Sequence, residues 1–352
     1  MKSGNFSTLT HTKQHLDALG NQQKLINQSS SSNSTGELLL EKFRQTCRKE
    51  YKSYAGKELL GLKQYPTCNL MHHSNAFLKL GPFNIEHVVF DPYRIVIYDF
   101  FTDLETDWVR TYSSPLLSSI RDDQYLLRNT IYDNKLERTV KIVGKAVQTW
   151  FNDLSYIEEA EYLEVMTETG AVMVEQREIE DLYSYNIKHE SLLRISRRME
   201  HATLMNITSR WGATRYQVTN YGLSGMVECH IDPYGYESGM PIKQDNYPLI
   251  SSGDYIATFM GYMNIVQSGG ATGFSFDNYE STIKPNKRSA AFWINLDASH
   301  RKDPRSIHGG CPVLKGTKWI LNKWIYSFDQ WKNFPCSNKE YGHILRLTGT
   351  YT

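Results

Sequence analysis

The chain from about residue 214 onward alternates short strand-like runs with turn residues, and this texture constrains the fold more than any other feature. The runs cover residues 216–221, 225–231, 255–263, 289–296 and 319–325. Glycines punctuate the segments between them. Many short strands joined by glycine-rich turns are typical of a sandwich or a double-sheet jelly roll.

The whole chain divides into three parts. Residues 1–38 are polar and biased, so they cannot bury enough apolar surface to offset their ordering entropy, and we predict a disordered tail. Residues 39–92 form a loop-rich lead-in that contains cysteines and begins with a short helical turn at about residues 37–50. The main domain follows at residues 93–340, with its strand-rich core at about 214–330.

Helical patterns flank the core. The main domain opens with a strand at residues 94–100, after which Thr102 or Asp103 caps a helix that has acidic residues in its first turn. Apolar residues at helical spacing predict two further helices, at residues 136–154 and 187–205.

The composition excludes some partners. The chain has 39 lysines and arginines against 38 aspartates and glutamates, which gives no argument for nucleic acid or an anionic membrane. No apolar run approaches the roughly 20 residues that cross a bilayer. The first residues lack the apolar region of a secretory signal, which points to the cytosol or to a chain whose true start is missing.

The five cysteines favour a different compartment. Cys47 and Cys68 flank one short loop, Cys311 and Cys336 flank another, and Cys229 is left over. Pairs around short loops fit disulfides in an oxidising lumen, although five unrelated buried thiols would give the same count. Asn-x-Ser/Thr sequons, which are compatible with a secretory route, occur at Asn5, Asn27, Asn33 and Asn206.

His230 and Asp232 carry the strongest chemical signal. Two residues apart on a strand, they project from the same face, and His308 from a distant strand can complete a three-point grip on a metal. Two imidazoles and one carboxylate leave about three coordination positions open, which suits non-haem Fe(II). Lys318, ten residues further on, offers a fixed positive charge, so the set predicts an oxygenase with a dicarboxylate cosubstrate.

Five runs extend this signal, and together they resemble a known family. They are residues 216–222, 269–272, 292–296, 308–313 and 316–324. They are similar to the catalytic domain of collagen-type prolyl 4-hydroxylase α subunits, which are 2-oxoglutarate- and Fe(II)-dependent dioxygenases. The family's last block reads His-x-x-Cys-Pro-Val-x-x-Gly-x-Lys-Trp-x-x-Asn-Lys-Trp, and this chain matches it from His308 to Trp324. The close match spans about residues 216–336, whereas residues 115–165 have no counterpart and are interpreted as an insertion.

The resemblance implies a double-stranded β-helix fold and a role for each matching residue. His230, Asp232 and His308 match the iron ligands, and Lys318 matches the lysine that binds the distal carboxylate of 2-oxoglutarate. Tyr221 and Thr272 match hydroxyl residues that help to hold the cosubstrate, and Trp324 matches an aromatic residue that lines the site. For each of these three, plain core packing is an equal alternative. Val227 is a second candidate for the substrate pocket. The implied reaction is proline 4-hydroxylation with O2 and 2-oxoglutarate, giving succinate and CO2, with ascorbate restoring oxidised iron.

The resemblance also implies disulfides, a partner and a compartment. Cys47–Cys68 and Cys311–Cys336 match the family's pairs, which leaves Cys229 unpaired and pointing away from the metal face. The expected substrate is a collagen-like, proline-containing protein, the expected partner is protein disulfide isomerase as a β subunit, and the expected location is the endoplasmic reticulum lumen. In this sequence about 40 residues predicted to be disordered stand where the family has dimerisation and peptide-binding regions, so lower affinity for long collagen-like chains is expected unless the gene product is longer.

Four departures from the family concern the neighbours of the ligands. Val227 replaces an aromatic residue, Cys229 replaces a proline, Ile307 replaces an arginine, and residues 273–275 replace a Val-Phe-Pro-like run. None removes a ligand, but Val227 and Ile307 put substrate or rate in question. A non-catalytic binding subunit and a dioxygenase with another protein target therefore stay as alternatives. A structural zinc site is disfavoured because it would leave Lys318 without a carboxylate partner.

Overall fold

The structure is a computed structural model. It describes residues 33–48, 58–59, 62–63, 67–114, 117–119, 131–133, 138–140, 147–151, 179–209, 211–233, 253–276 and 280–337. Within these residues the α-helices are α1 (Asn33–Arg48), α2 (Asp103–Ser113) and α3 (Ile179–Thr203). Nine strands precede α3: β1 (Glu58–Leu59), β2 (Leu62–Lys63), β3 (Thr67–Met71), β4 (Phe83–Val89), β5 (Arg94–Tyr98), β6 (Ser118–Ser119), β7 (Ile131–Asp133), β8 (Arg138–Val140) and β9 (Val147–Phe151).

Ten further strands follow α3: β10 (Tyr216–Tyr221), β11 (Val227–His230), β12 (Tyr255–Tyr262), β13 (Ser268–Gly269), β14 (Thr272–Phe274), β15 (Ser281–Ile283), β16 (Ala290–Ile294), β17 (His308–Gly310), β18 (Val313–Lys315) and β19 (Lys318–Tyr326). Short 3-10 turns cover Pro304–Ser306 and Phe328–Gln330. No helix in the described part of the chain has the length and apolarity to cross a membrane.

Two antiparallel sheets dominate the architecture. The large sheet has nine strands in the order β3-β4-β5-β16-β12-β19-β10-β9-β6, and the small sheet has four in the order β11-β17-β14-β15. Every residue of the central strand β12 is buried, as expected for a strand covered on both faces. Side chains alternate along these strands, so the two faces of the large sheet bury different partners.

One face of the large sheet packs against helices. Phe259 and Phe292 of the sheet share a core with Val109 of α2 and with Ile195 and Met199 of α3. Thr102 caps α2, and its capping box with Glu105 satisfies two backbone N–H groups. Arg198 of α3 donates hydrogen bonds of 2.9 and 3.0 Å to the Glu105 carboxylate, which fixes the two helices to each other.

The opposite face of the large sheet packs against the small sheet. Met260, Tyr262 and Trp293 meet Val227 and Phe274 of the small sheet in a second core. The metal-ligand candidates and Lys318 lie between these two sheets. The helix-covered face therefore provides support, whereas the face between the sheets holds the chemistry.

The observed elements correct three predictions. Residues 136–154 contain β8 and β9 rather than a helix, because β9 pairs with β10 along five residues and sheet pairing overrides the apolar spacing. The predicted boundary at residue 93 separates β4 from β5, which are neighbours in the large sheet. Helix α1 begins at Asn33, inside the predicted disordered tail, while residues 1–32 lie outside the described residues.

Candidate metal centre and cosubstrate pocket

Three predicted ligands converge between the sheets. Strand β11 pairs with β17 so that His230 lies opposite His308, and Asp232 follows two residues after β11 ends. The Nε2 atom of His230 lies 3.5 Å from Asp232 Oδ1, and the Nε2 atom of His308 lies 3.7 Å from Asp232 Oδ2. The ligand atoms of the three residues all lie within 4.8 Å of one another.

Hydrogen bonds orient both imidazoles. The Nδ1 atom of His230 donates to the carbonyl oxygen of Glu228, and that of His308 donates to the carbonyl oxygen of Ser306, each over 2.9 Å. A carbonyl can only accept, so the proton of each neutral ring resides on Nδ1. In the neutral form of each ring, the Nε2 atom therefore presents a lone pair toward the shared space, as metal-binding histidines do.

Burial and mutual charge set the protonation of this group. Burial lowers the pKa of His308 to about 4, despite the opposing effect of the Asp232 charge. Burial also acts to lower the pKa of His230, but the hydrogen bond and the charge of Asp232 outweigh it and the pKa is raised. Burial would raise the pKa of Asp232, yet the histidines and a threonine hydroxyl hold it well below the usual range of a carboxyl group. The carboxylate is thus ionised and His308 neutral at pH 7.

These donors fit Fe(II). One buried carboxylate and two Nε2 lone pairs converge from one side, which is the donor set of non-haem iron oxygenases and leaves further coordination positions to other ligands. Among the described residues, the two imidazoles and the Thr258 hydroxyl offset the desolvation of the ionised Asp232, and a bound cation would offset it further.

Two residues that the sequence analysis missed hold the carboxylate ligand. The Thr258 hydroxyl donates to Asp232 Oδ2 over 2.5 Å, and the Asn295 side-chain amide donates to the Thr258 oxygen over 2.7 Å. Thr258 is on β12 and Asn295 follows β16, so both come from the large sheet. The alternation of β12 places Thr258 on the inner face, but no sequence signal shows which ligand it reaches.

Lys318 lies in a separate, deeper position between the sheets. It is 2% exposed, and Nζ hydrogen-bonds to the Thr272 hydroxyl over 3.4 Å. In the described part of the chain no carboxylate pairs with it, and burial lowers its pKa to about 7. A buried ammonium without an anion is costly, so this position favours an anionic ligand.

Hydroxyl and aromatic groups surround Lys318. Tyr221 lies across from it on β10, with its ring centroid 5.5 Å from Nζ. The hydroxyl groups of Tyr262 and Thr272 share a hydrogen bond of 2.9 Å, which adds Tyr262 to the predicted residues. Gly310 faces the same space: a Cβ atom there would lie 4.0 Å from Lys318 Nζ and 3.5 Å from its nearest neighbour atom. The structure therefore brings the predicted pair Tyr221 and Thr272 to Lys318.

The two substrate-pocket candidates lie in different places. Trp324 is half-buried on β19, directly across from Thr258 on β12, and its ring stacks on Tyr255 at 5.9 Å between centroids. Val227 is buried in the core between the sheets and pairs with Gly310. This pairing places Val227 beside the Lys318 pocket, whereas Trp324 lies beside Thr258. Ile307 packs in a different cluster, beneath α1.

The predicted disulfide pairs are wrong in this structure. Cys47 bonds to Cys311, across 264 residues of sequence, while Cys68 and Cys336 are exposed free thiols and Cys229 is a buried one. The short loops suggested the pairing, but Cys68 lies on β3 at the far edge of the large sheet, whereas α1 carries Cys47 to the small sheet.

Helix α1 is packed closely against the small sheet beside this disulfide. Phe43 is buried there with Cys229, Ala271 and Cys311. A Cβ atom at Gly309 would lie 2.6 Å from the Phe43 ring, which is closer than atoms can approach. The same atom would lie 2.7 Å from the Val227 carbonyl oxygen, so residue 309 must be glycine for both α1 and β11 to pack against the strand that bears His308.

Comparison with known proteins defines the class of this domain. Residues 216–326 match the 2OG-Fe(II) oxygenase superfamily model, so this part of the chain is a 2OG-Fe(II) oxygenase domain. The prediction of a 2-oxoglutarate- and Fe(II)-dependent dioxygenase is confirmed at the level of this domain. The match includes all three metal-ligand candidates and Lys318.

Two curated relatives show which kind of oxygenase the chain resembles. The chain is 28% identical to prolyl 4-hydroxylase subunit alpha-3 of Homo sapiens over 279 residues, which are 79% of this chain and 42% of that protein. It is 35% identical to the human subunit alpha-1 over 147 residues, 42% of this chain and 26% of that protein. The predicted resemblance to prolyl 4-hydroxylase α subunits is thus confirmed. The chain spans less than half the length of these relatives.

A solved structure is also similar. The viral collagen prolyl hydroxylase of Paramecium Bursaria Chlorella virus-1, in complex with 2OG, is 19% identical, with 66% of this chain and 95% of that chain covered and a TM-score of 0.37.

Proposed function

We propose that this chain is a prolyl 4-hydroxylase, which hydroxylates peptidyl proline with O2 and 2-oxoglutarate to give 4-hydroxyproline, succinate and CO2. One observation carries the proposal: His230, Asp232 and His308 meet within 4.8 Å, and the buried Lys318, with which no carboxylate of the described residues pairs, lies between the same two sheets. The relatives named prolyl 4-hydroxylase α subunits support the choice of proline. We infer that the two sheets form a double-stranded β-helix, because a shared core joins their facing sides.

Each residue has a defined task in this function. His230, Asp232 and His308 would hold Fe(II), which supplies the oxidising chemistry when bound together with 2-oxoglutarate and O2. Lys318 would pair with the distal carboxylate of 2-oxoglutarate, a charge-assisted contact strengthened by burial. Tyr221 and the Thr272 hydroxyl, which lie beside Lys318, would orient the same carboxylate, and the second core would exclude water from it.

Trp324 marks the substrate side of the proposed site. Its ring is half-buried beside Thr258, the residue that holds the carboxylate ligand, so it can offer an aromatic face to a proline ring near the metal. Ile307 packs beneath α1, away from that position, so its replacement of an arginine does not alter the pocket directly. Val227 contributes to the pocket wall near Gly310 and can influence cosubstrate fit.

Turnover tests the proposal. The purified chain should convert labelled 2-oxoglutarate to succinate when Fe(II), ascorbate and a proline-rich peptide are present, and mass spectrometry should find 4-hydroxyproline in the peptide. Asp232→Ala removes the carboxylate ligand and serves as the inactive control. Succinate production no greater than that of the control would end the enzyme proposal.

Two alternatives are separated by the same assay. Metal binding without peptide-stimulated decarboxylation would indicate a non-catalytic binding subunit. Hydroxylation of lysine, or of proline in a sequence unlike collagen, would indicate a dioxygenase with another protein target.

The compartment and the partner are further proposals. The Cys47–Cys311 disulfide supports folding in an oxidising compartment, and we propose the endoplasmic reticulum lumen. We also propose protein disulfide isomerase as the β subunit. Co-purification of the two chains from cells tests the compartment and the partner together. Recovery of a reduced monomer from the cytosol would contradict both proposals.

A further inference from the structure

Two arginines, one buried and one partly buried, lie beside His308 without belonging to its ligand set. Arg94 begins strand β5 and is 1% exposed. Arg305 is in the 3-10 turn that leads into β17. Arg94 lies outside the residues 216–326 that match the oxygenase domain.

Arg94 contacts His308 through an aromatic ring. Its guanidinium carbon is 3.5 Å from the centroid of the Phe274 ring, which is a close cation–π stack. The Phe274 ring is in turn 5.5 Å from the ring of His308, and Trp293 contacts the same imidazole at 4.7 Å. The imidazole is therefore confined by two aromatic rings, one of which Arg94 holds in place.

Arg94 also contacts the backbone that orients His308. Its Nη2 donates to the carbonyl oxygen of Arg305 over 3.2 Å. The next carbonyl along the chain, that of Ser306, accepts the Nδ1 proton of His308. A second hydrogen bond joins Arg94 to the Ser281 hydroxyl on β15. One guanidinium thus connects the large sheet to both supports of this imidazole.

Ion pairs of Arg305 form a second connection between the turn before β5 and the turn before His308. Arg305 binds Asp303 over 2.7 Å and Asp91 over 2.9 Å. Asp91 precedes Arg94 by three residues in the turn between β4 and β5. The turn before β5 and the turn before His308 are therefore joined twice, once by each arginine.

We propose that Arg94 is a positioning residue for His308, and that strand β5 is for this reason a working part of the metal centre although it lies outside the matched domain. The inference rests on the proposed metal centre. Groups that orient a metal ligand commonly change metal affinity about 10–100-fold when removed. Lysine should not replace arginine here, because the guanidinium stacks its planar face on Phe274 while its edge donates to Ser281 and Arg305, and a compact ammonium has no such face.

Co(II) binding by the full-length chain tests the proposal directly. Arg94→Met should weaken Co(II) binding about 10–100-fold and alter the visible absorption of the bound ion. Arg94→Lys should restore little of the affinity, and Phe274→Leu, which removes the ring but keeps the arginine, should weaken binding in the same way.

Lys323→Met is the matched control. Lys323 is also a fully buried cation of the large sheet, but its Nζ donates to the Thr214 carbonyl over 2.8 Å and lies 4.1 Å above the Tyr216 ring. Tyr216 belongs to the helix-covered core, so this variant loses a buried charge without touching His308. It should lower thermal stability and leave the Co(II) affinity and spectrum unchanged.

The outcomes separate the two proposals. Wild-type protein that fails to bind Co(II) contradicts the metal centre itself. If the wild type binds Co(II), and Arg94→Lys and Phe274→Leu bind it with the same affinity and spectrum, the positioning role is overturned. The positioning role is also overturned if Lys323→Met weakens Co(II) binding as much as the Arg94 variants do. Because Phe274→Leu keeps every buried charge, it gives an answer even where Arg94→Met does not fold.

Discussion

A Lys318→Met substitution should stabilise the metal-free protein and abolish its affinity for 2-oxoglutarate. Burial lowers the pKa of Lys318 from 10.5 to about 7, and no carboxylate in the described part of the chain offsets that cost. At about 1.36 kcal/mol for each pH unit, the wild-type lysine reduces the free energy of unfolding by about 5 kcal/mol below pH 7. Methionine has a similar length and no charge, so the variant should be more stable than the wild type by an amount of that order.

The pH dependence of this difference gives the sharper test. Because the folded-state pKa lies below the unfolded value, the unfolded state binds more protons between pH 7 and pH 10.5. The wild type therefore becomes more stable, relative to the variant, as the pH rises through this window. Urea unfolding of both proteins at several pH values should show the difference falling by about 1.4 kcal/mol per pH unit.

The same pair of proteins reports on the cosubstrate. With Mn(II) in place of iron, 2-oxoglutarate at about 100 times its Kd should stabilise the wild type by about 2.7 kcal/mol and the variant not at all. A stability difference that does not change with pH would refute the claim that Lys318 is buried without an anion. Equal stabilisation of both proteins by 2-oxoglutarate would refute its assignment to the cosubstrate.

Three other predictions concern the supports of the site. Thr258→Val should lower Mn(II) affinity about 10–100-fold, because the carboxylate ligand loses its hydroxyl partner; calorimetric titration measures this, and an unchanged Kd would contradict it. Gly309→Ala should cost about 1–3 kcal/mol in urea unfolding by displacing Phe43 of α1 and the Val227 carbonyl of β11, whereas Gly310→Ala, which has room for a methyl group, should cost much less; equal costs would contradict the close packing of α1 and β11 around residue 309. Peptide mapping without reductant should recover Cys47 linked to Cys311, and reduction should lower the free energy of unfolding by about 2–5 kcal/mol; recovery of short-loop pairs instead would restore the sequence-based pairing.

The sequence was informative wherever chemistry depends on local spacing. His230 and Asp232 are two residues apart at the end of a strand, so their shared face follows from strand geometry, and the block from His308 to Trp324 places Lys318 in a recognisable register. Thr258, Tyr262 and Asn295 were missed because their importance lies in what faces them across the sheets. A lone threonine on a buried strand is indistinguishable from core packing until its partner is known.

Local pattern by itself determined the strand-rich core, the capped helix at Thr102, and the set of three metal-ligand candidates with a lysine beyond them. Only the tertiary structure decided which cysteines meet, that residues 147–151 pair as a strand, and that Arg94 reaches His308 through Phe274. The physical reason is that spacing along the chain fixes the direction of neighbouring side chains, whereas contacts between residues hundreds of positions apart depend on how the sheets and helices pack.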